Sequence, residues 1–327
     1  MAMFIMLVGL PASGKSTLGE TLSIKYAAEV LSSDRLRKEM HGDENNQADH
    51  KKLFEELNRR ANTILSQGKN VIYDSTNLNR KRRKHLIQHE IKADEKVVYY
   101  LNTHIDNCYE RDKIRERTVG EEVINRMYKN LHIPVLKEGW KEVHTIYEPR
   151  RLFTGHHKTA LEEHLNSALS HDEFMDRLMQ LIPEFQIINH LPHDSKYHSF
   201  SVSRHIFYVY KHIYEHYKGS NRLVMLYASI FHDLGKGFCK SFVNYKGEET
   251  RYASFIGHEY VSSQLAAFYL NQLGYSREFT EKVVTLVQFH MMPMNASEKK
   301  LSEIKELIGE TFFEDLLILH EADTSAK

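Results

Sequence analysis

The segment Gly9-Leu10-Pro11-Ala12-Ser13-Gly14-Lys15-Ser16 constrains this chain more than any other. It fits G-x-x-x-x-G-K-[S/T], follows an apolar run over 3–10 and precedes a helical pattern. Such a loop is built where a buried strand turns directly into a helix. Gly9 and Gly14 let successive backbone N–H groups turn inward around phosphate oxygens, and the helix N-terminus adds positive potential. In this pattern Lys15 reaches the β- and γ-phosphates, Ser16 ligates magnesium, and Ser13 and Thr17 complete the cradle. The expected cofactor is ATP, or another nucleoside triphosphate, with magnesium. A glycine-rich turn without a ligand is the competing reading, and it leaves the strand before and the helix after unexplained. The apolar start lacks a basic flank, so it reads as a buried strand rather than a signal peptide.

The first half alternates β-branched runs with helical patterns. Residues 3–8, 30–33, 70–74 and 96–101 read as strands. Phe54, Leu57, Ala61, Ile64 and Leu65 follow helical spacing, and 81–89 is a second helical candidate. This alternation predicts a parallel sheet with helices on both faces, and ligands at the C-terminal ends of its strands. After Glu148-Pro149 the pattern changes. Residues 150–158 are basic and irregular, and from 172 onward the chain reads as helices. Val202, Ile206, Val209, Tyr210 and Ile213 share one face, while 223–231 is apolar nearly all round and should be central. The expected organisation is an α/β domain over 1–150, a linker over 151–171 and an all-α domain over 172–327. A length of 327 residues suits two cores better than one.

Composition excludes rather than assigns. Lys+Arg and Asp+Glu both number 44, so nothing pulls the chain globally toward nucleic acid, and any such site must rest on a local patch. The two cysteines, Cys108 and Cys239, have no metal or redox spacing and point to a reducing cytoplasm. No apolar run reaches the ~18–20 residues of a membrane span.

Three segments narrow the first half further. Asp34, after the second strand, is placed to accept the proton of an attacking hydroxyl, or to cap a helix. Asp74, at the end of the third strand, stands where a carboxylate could hold magnesium through water. It is followed by the basic run Arg80-Lys81-Arg82-Arg83, which is either a polyanion contact or a solvated helix face. Arg111 and Arg115 are four apart, on one helical face, with Arg117 close behind. Arginines on a lid suit the charge of a phosphoryl group in transfer. Salt bridges to Glu110, Asp112 and Glu116 are the alternative.

Taken together, GLPASGKS, SSDRLR, DSTNLNRKRR and ERDKIRERTVGEEVINRMY resemble the 5′-hydroxyl polynucleotide kinases of phage and bacterial RNA-repair systems over about residues 3–150. P-loop kinases of small molecules share the first and third segments. The resemblance implies a P-loop kinase fold. It makes Asp34 the general base on a 5′-OH, gives Arg37 the acceptor phosphate, and sets Arg111 and Arg115 on the donor phosphates. One position departs from the phage pattern. Ser75 stands directly before Thr76-Asn77 where the phage enzyme has aspartate, and Asp74 lies one place earlier, which leaves its duty open.

The second half carries His205, His232-Asp233, His258, His290 and Asp323 in order, with Gly235-Lys236 after the His-Asp pair. Imidazole nitrogens and carboxylate oxygens suit divalent manganese, iron, cobalt, nickel, zinc or magnesium. Asp233 has two oxygens to share between two ions. His164, His171, His212 and His216 read as ordinary core or surface histidines. YHSFSVSRHIFYVYKHI, FHDLGK, FIGHE, LVQFH and the closing HEAD resemble the HD phosphohydrolase superfamily over about 172–323. That resemblance puts His205, His232, Asp233 and Asp323 on one metal, His258 and His290 with Asp233 on the second, and Lys236 on the substrate phosphate. It also places Asp323 inside a helix that continues, so the domain is expected to be cut short at its C-terminus.

A kinase half and an HD half in one chain resemble bifunctional RNA end-healing enzymes. The former would phosphorylate 5′-OH ends, and the latter would remove 2′,3′-cyclic or 2′/3′ phosphate. RNA or DNA ends are then the substrates, and an RNA ligase acting downstream is the expected partner. Two alternatives remain: a small-molecule or nucleoside kinase beside an HD nucleotidase, and a nucleotide-gated binding module with a degenerate HD fold.

Overall fold

The computed structural model describes residues 2–43, 48–149, 152–195, 199–244 and 246–326. The chain divides into two compact units, Met1–Tyr147 and Glu148–Lys327.

In the first unit, β1 (Met3–Val8) leads through the glycine-rich loop into α1 (Lys15–Tyr26), β2 (Ala28–Ser32) and α2 (Ser33–His41). Next come α3 (His50–Ser66), β3 (Asn70–Asp74), α4 (Arg80–His85), β4 (Glu95–Asn102), α5 (Ile105–Lys113), α6 (Glu121–Tyr128) and β5 (Glu142–Tyr147). The five strands form one parallel sheet of order β2-β3-β1-β4-β5. Phe4 through Val8 are fully buried, which is why β1 reads as a continuous apolar run rather than an alternating one. Ile5, Leu7, Ile72, Val97 and Tyr99 build the core on one face, against Leu22 of α1. β1 lies between β3 and β4, so the loops after β1 and β3 emerge side by side. The Gly9 N–H donates to the Thr76 carbonyl at 3.2 Å and joins them.

The second unit is mostly helical: α7 (Gly155–Leu165), α8 (His171–Leu181), α9 (Glu184–Ile188), α10 (Val202–His216), α11 (Arg222–Phe231) and α12 (Lys236–Cys239), then α13 (His258–Gln272), α14 (Arg277–Phe289), α15 (Glu298–Ile308) and α16 (Glu310–Ser325). Val224 through Phe231 are all buried, which makes α11 the central helix that its apolar sequence predicts. Serine side chains set four helix starts: Ser170, Ser201, Ser276 and Ser297 accept the N–H of Glu173, Arg204, Phe279 and Lys300.

Two expectations change here. The stretch expected as a linker, 151–171, carries α7, whose Leu161 and Leu165 are fully buried within the second unit. Tyr210 donates to the Leu165 carbonyl at 3.1 Å and holds the end of that helix in place. The helical unit also contains an antiparallel pair, β6 (Ser241–Val243) and β7 (Glu249–Ser254). Among the described residues no helix is long and apolar enough to cross a membrane.

Candidate functional site

The glycine-rich loop is shaped by backbone conformations that few residues adopt. Gly14 sits at φ 99° and Ala12 at φ 58°, so the chain curls before entering α1. A side chain at Gly9 would lie 2.8 Å from Ser13 Oγ, so the loop closes only around glycine. Lys15 is buried and donates to the carbonyls of Gly9 (3.0 Å) and Leu10 (2.5 Å). Burial lowers its ammonium to a pKa of about 8 against the opposing charge of Asp74. Ser16 donates to Asp74 Oδ2 at 3.3 Å, while Thr17 is exposed on the first turn of α1. Burial pushes the Asp74 carboxyl up, and Lys15 pulls it back. A hydroxyl and a carboxylate converging beside a phosphate cradle are the hard oxygen donors that magnesium takes, so these residues fit that ion.

Asp34 lies one residue inside α2, whose N-cap position is Ser32, so the capping alternative does not apply to it. Its two oxygens each meet a guanidinium: Oδ1 is 2.8 Å from Arg37 Nη1 and Oδ2 is 2.9 Å from Arg117 Nη1. Arg37 is itself buried. Arg111 and Arg115 do not share a helical face, because α5 ends at Lys113. The cause is Asp112, a buried carboxylate that accepts the N–H groups of Val119 (3.0 Å) and Gly120 (2.9 Å) and turns the chain back. Arg115 lies in that turn, 3.8 Å from Asp112, and both arginines are exposed.

The basic run divides. Arg83 is fully buried and bidentate on Glu138 at 3.0 and 2.7 Å, and it also donates to the carbonyls of Asn77 and Leu78. Arg80 lies 3.6 Å from the same Glu138. Lys81, Arg82 and Lys84 remain on the exposed face.

In the second unit the six expected ligands come together from three helices and from the turns that end α11 and α14. His205 (α10), His232 and Asp233 (end of α11) and Asp323 (α16) form one group; Asp233, His258 (start of α13) and His290 (end of α14) form another. Asp233 Oδ2 faces His205 Nε2 (3.1 Å) and His232 Nε2 (3.3 Å), while Oδ1 faces His258 Nε2 (3.1 Å) and His290 Nε2 (3.7 Å). Asp323 Oδ1 closes the first group, 2.9 Å from His205 Nε2. Every imidazole hydrogen-bonds a backbone carbonyl through Nδ1: His205 to Ala326, His232 to Ser229, His258 to Phe255 and His290 to Val287, all at 2.7–2.8 Å. That fixes the neutral tautomer with its lone pair on Nε2, aimed inward.

The Nε2 atoms then face one another, His205 with His232 and His258 with His290, each pair at 3.2 Å. Two lone pairs at that separation need a positive charge between them. Nitrogens bound to one ion at ~2.0–2.1 Å stand about 3 Å apart, so the donor set fits a divalent metal. Burial disfavours charge on His205, but with no ion at Nε2 Asp233 and Asp323 outweigh it and raise its pKa to about 9, so an ion bound there takes the place of a proton. Burial likewise opposes charge on Asp233, yet Lys236 and His232 hold its carboxyl well below the usual range.

Gly235 is what lets the His-Asp turn approach α13. A Cβ there would stand 2.5 Å from the His258 carbonyl oxygen, and its N–H donates to Ser262 Oγ at 2.8 Å. Lys236 Nζ lies 2.6 Å from Asp233 Oδ2 and 3.2 Å from His193 Nε2. His193 is buried, and its Nδ1 is 2.7 Å from the Phe200 carbonyl, which leaves Nε2 to accept from Lys236. The sequence carries no spacing signal for His193. Glu138, Asp112 and the Arg117–Asp34 contact also emerge only from the fold.

Residues 4–134 match the family model of an AAA domain, and residues 196–325 match that of an HD domain. The L-seryl-tRNA(Sec) kinase of Methanococcus maripaludis is 29% identical over 149 residues, covering 42% of this chain and 56% of that protein. The chain thus spans about half the length of this curated relative. Among solved structures, a Sinorhizobium meliloti gluconokinase has a TM-score of 0.34 at 18% identity, covering 45% of this chain and 82% of that one. A Chloroflexus aurantiacus protein described as a kinase has a TM-score of 0.36 at 20% identity, covering 51% and 98%. The first unit has the α/β fold of P-loop kinases, and the second is a helical HD domain.

Proposed function

We propose that this chain heals nucleic-acid ends: the first unit phosphorylates a 5′-OH from ATP, and the second removes 2′,3′-cyclic or 2′/3′ phosphate. What carries this reading is the co-occurrence of two phosphate chemistries in one chain. One is a phosphate cradle with a carboxylate, Asp34 at the start of α2, held by two arginines. The other is a histidine cluster built on one shared aspartate.

In the first unit, the loop N–H groups and Lys15 hold the donor phosphates, and Ser16 and Asp74 would hold magnesium. Asp34 takes the proton of the acceptor hydroxyl as its oxygen bonds to the γ-phosphorus and the bond to the β-phosphate oxygen breaks, leaving ADP. A positioned base of this kind contributes ~10²–10⁴ in rate. Arg37 holds Asp34 and the acceptor phosphate, while Arg111 and Arg115 neutralise charge on the transferring group.

In the second unit, His205, His232, Asp233 and Asp323 would hold one divalent ion, and Asp233, His258 and His290 a second. When bound, such ions supply a nucleophilic water at neutral pH and polarise a phosphoryl oxygen. Lys236, held between Asp233 and His193, faces the substrate phosphate. One water opens a cyclic phosphate to a monoester, and a second releases inorganic phosphate.

A second reading, a small-molecule or nucleoside kinase beside an HD nucleotidase, is favoured by one observation: Arg80 and Arg83 are engaged with Glu138, which thins the basic run. RNA bearing 5′-OH and 2′,3′-cyclic phosphate ends separates the two. End healing requires label transfer from γ-labelled ATP to the 5′ end and loss of the 3′-terminal phosphate. Label entering free nucleosides but no RNA would replace it with the second reading.

A further inference from the structure

A cavity of about 660 Å³ in the first unit is used by none of the roles above. One wall is formed by residues 75–79, immediately after Asp74, and its volume is in the range that buries a ligand. His50 and Phe54, one turn apart on α3, line it with ring centroids 4.7 Å apart. Lys81 and Arg82 line it from the exposed face of α4, and neither forms an ion pair among the described residues. On the floor, the Tyr73 hydroxyl donates to Asn58 Oδ1 at 2.7 Å, and Asn58 donates onward to Glu90. Those floor groups are committed to one another, while Ser75, Thr76, Asn79 and Asn130 add neutral polar lining beside the rings and cations. Burial, with the charges of Arg82 and Arg37, lowers the pKa of His50.

We propose that this cavity seats a base of a single-stranded acceptor on Phe54 and His50, with Lys81 and Arg82 on the adjoining phosphate. This rests on the polynucleotide-kinase reading and extends it to a subsite. Stacking on aromatic faces accepts any base, and lysine and arginine track the phosphate backbone. A hydroxylated small acid would use the cations and leave the rings idle; a lone nucleoside would use the rings and leave the cations idle. The cavity offers both chemistries, as a strand does.

The test is fluorescence anisotropy of a 5′-OH RNA decamer carrying a 3′ fluorophore, titrated with the full chain at several salt concentrations. Phe54→Leu retains an apolar side chain on the half-buried face of α3 and removes the ring. It should weaken binding by about tenfold at every salt concentration. Arg82→Ala, on an exposed helix face, should weaken binding and reduce the salt slope by about one. Thermal melts matching wild type show that both variants fold. Wild-type affinity and salt slope in both variants would overturn the assignment even if the decamer is phosphorylated. Phe54-dependent binding without phosphoryl transfer would instead support the cavity and sink the kinase reading.

Discussion

Asp233 presents one oxygen to each of two histidine groups, and no other described residue belongs to both. Asp233→Ala should therefore lose both metals and all phosphoesterase activity, while His290→Ala should empty one site and keep the other. Elemental analysis of purified protein checks this; one metal in wild type, unchanged in His290→Ala, would reduce the centre to a mononuclear one. In the other unit, Asp34→Ala should slow transfer to a 5′-OH oligonucleotide by ~10²–10⁴. Wild-type turnover in that variant would remove the base assignment. At this scale the sequence shows which residue types are present but not how they aim. The order of histidines and aspartates singles out the six that meet, whereas the four carbonyls that orient the imidazoles belong to backbone that no motif marks. His193 was illegible for the same reason: its role depends on Lys236 arriving 3.2 Å away from a helix far along the chain.

Single elements are held by buried charge. Arg83 pins α4 to the turn carrying Glu138, which also accepts from Trp140 Nε1 at 3.1 Å. Arg83→Ala leaves buried Glu138 with only the more distant Arg80 at 3.6 Å, a loss of about 3 kcal/mol. A melt of the first unit's transition should fall by roughly 10 °C, and a shift of a degree or two would mean that the pair is not structural. Asp112 likewise closes the segment that carries Arg115 and Arg117. Asp112→Ala should hasten tryptic cleavage after Lys113, Arg115 or Arg117 by about tenfold, as local opening becomes easier. An unchanged digestion rate would show that something else closes the segment. Elements were legible where burial was complete. β1 and β3 have the ends expected from their apolar runs, because both lie inside the sheet. β5 is an edge strand with a half-exposed Glu-Val-His-Thr-Ile-Tyr sequence and gives no such run. α7 buries only Leu161 and Leu165, too few to mark a helix in a basic stretch.

At the scale of the whole molecule, each unit has its own core and its own polar cluster. β1 with its flanking strands buries the first, and α11 the second. All the groups assigned to phosphoryl transfer lie before Tyr147, and all six of the histidine–aspartate metal cluster lie after Glu148. The two activities should therefore separate by single substitutions. Lys15→Ala removes the cation of the phosphate cradle, so it should abolish transfer from ATP and leave release of a terminal phosphate at the wild-type rate. Asp233→Ala should do the reverse. A chelator should stop hydrolysis before it unfolds the helical unit, since the residues of α11 from Val224 to Phe231 are buried by packing that needs no ion. Assaying both activities on one RNA, with circular dichroism to verify folding, tests all three statements. Folded Asp233→Ala protein that has lost both activities would show that the two centres work as one, and the two-site account would fall with it.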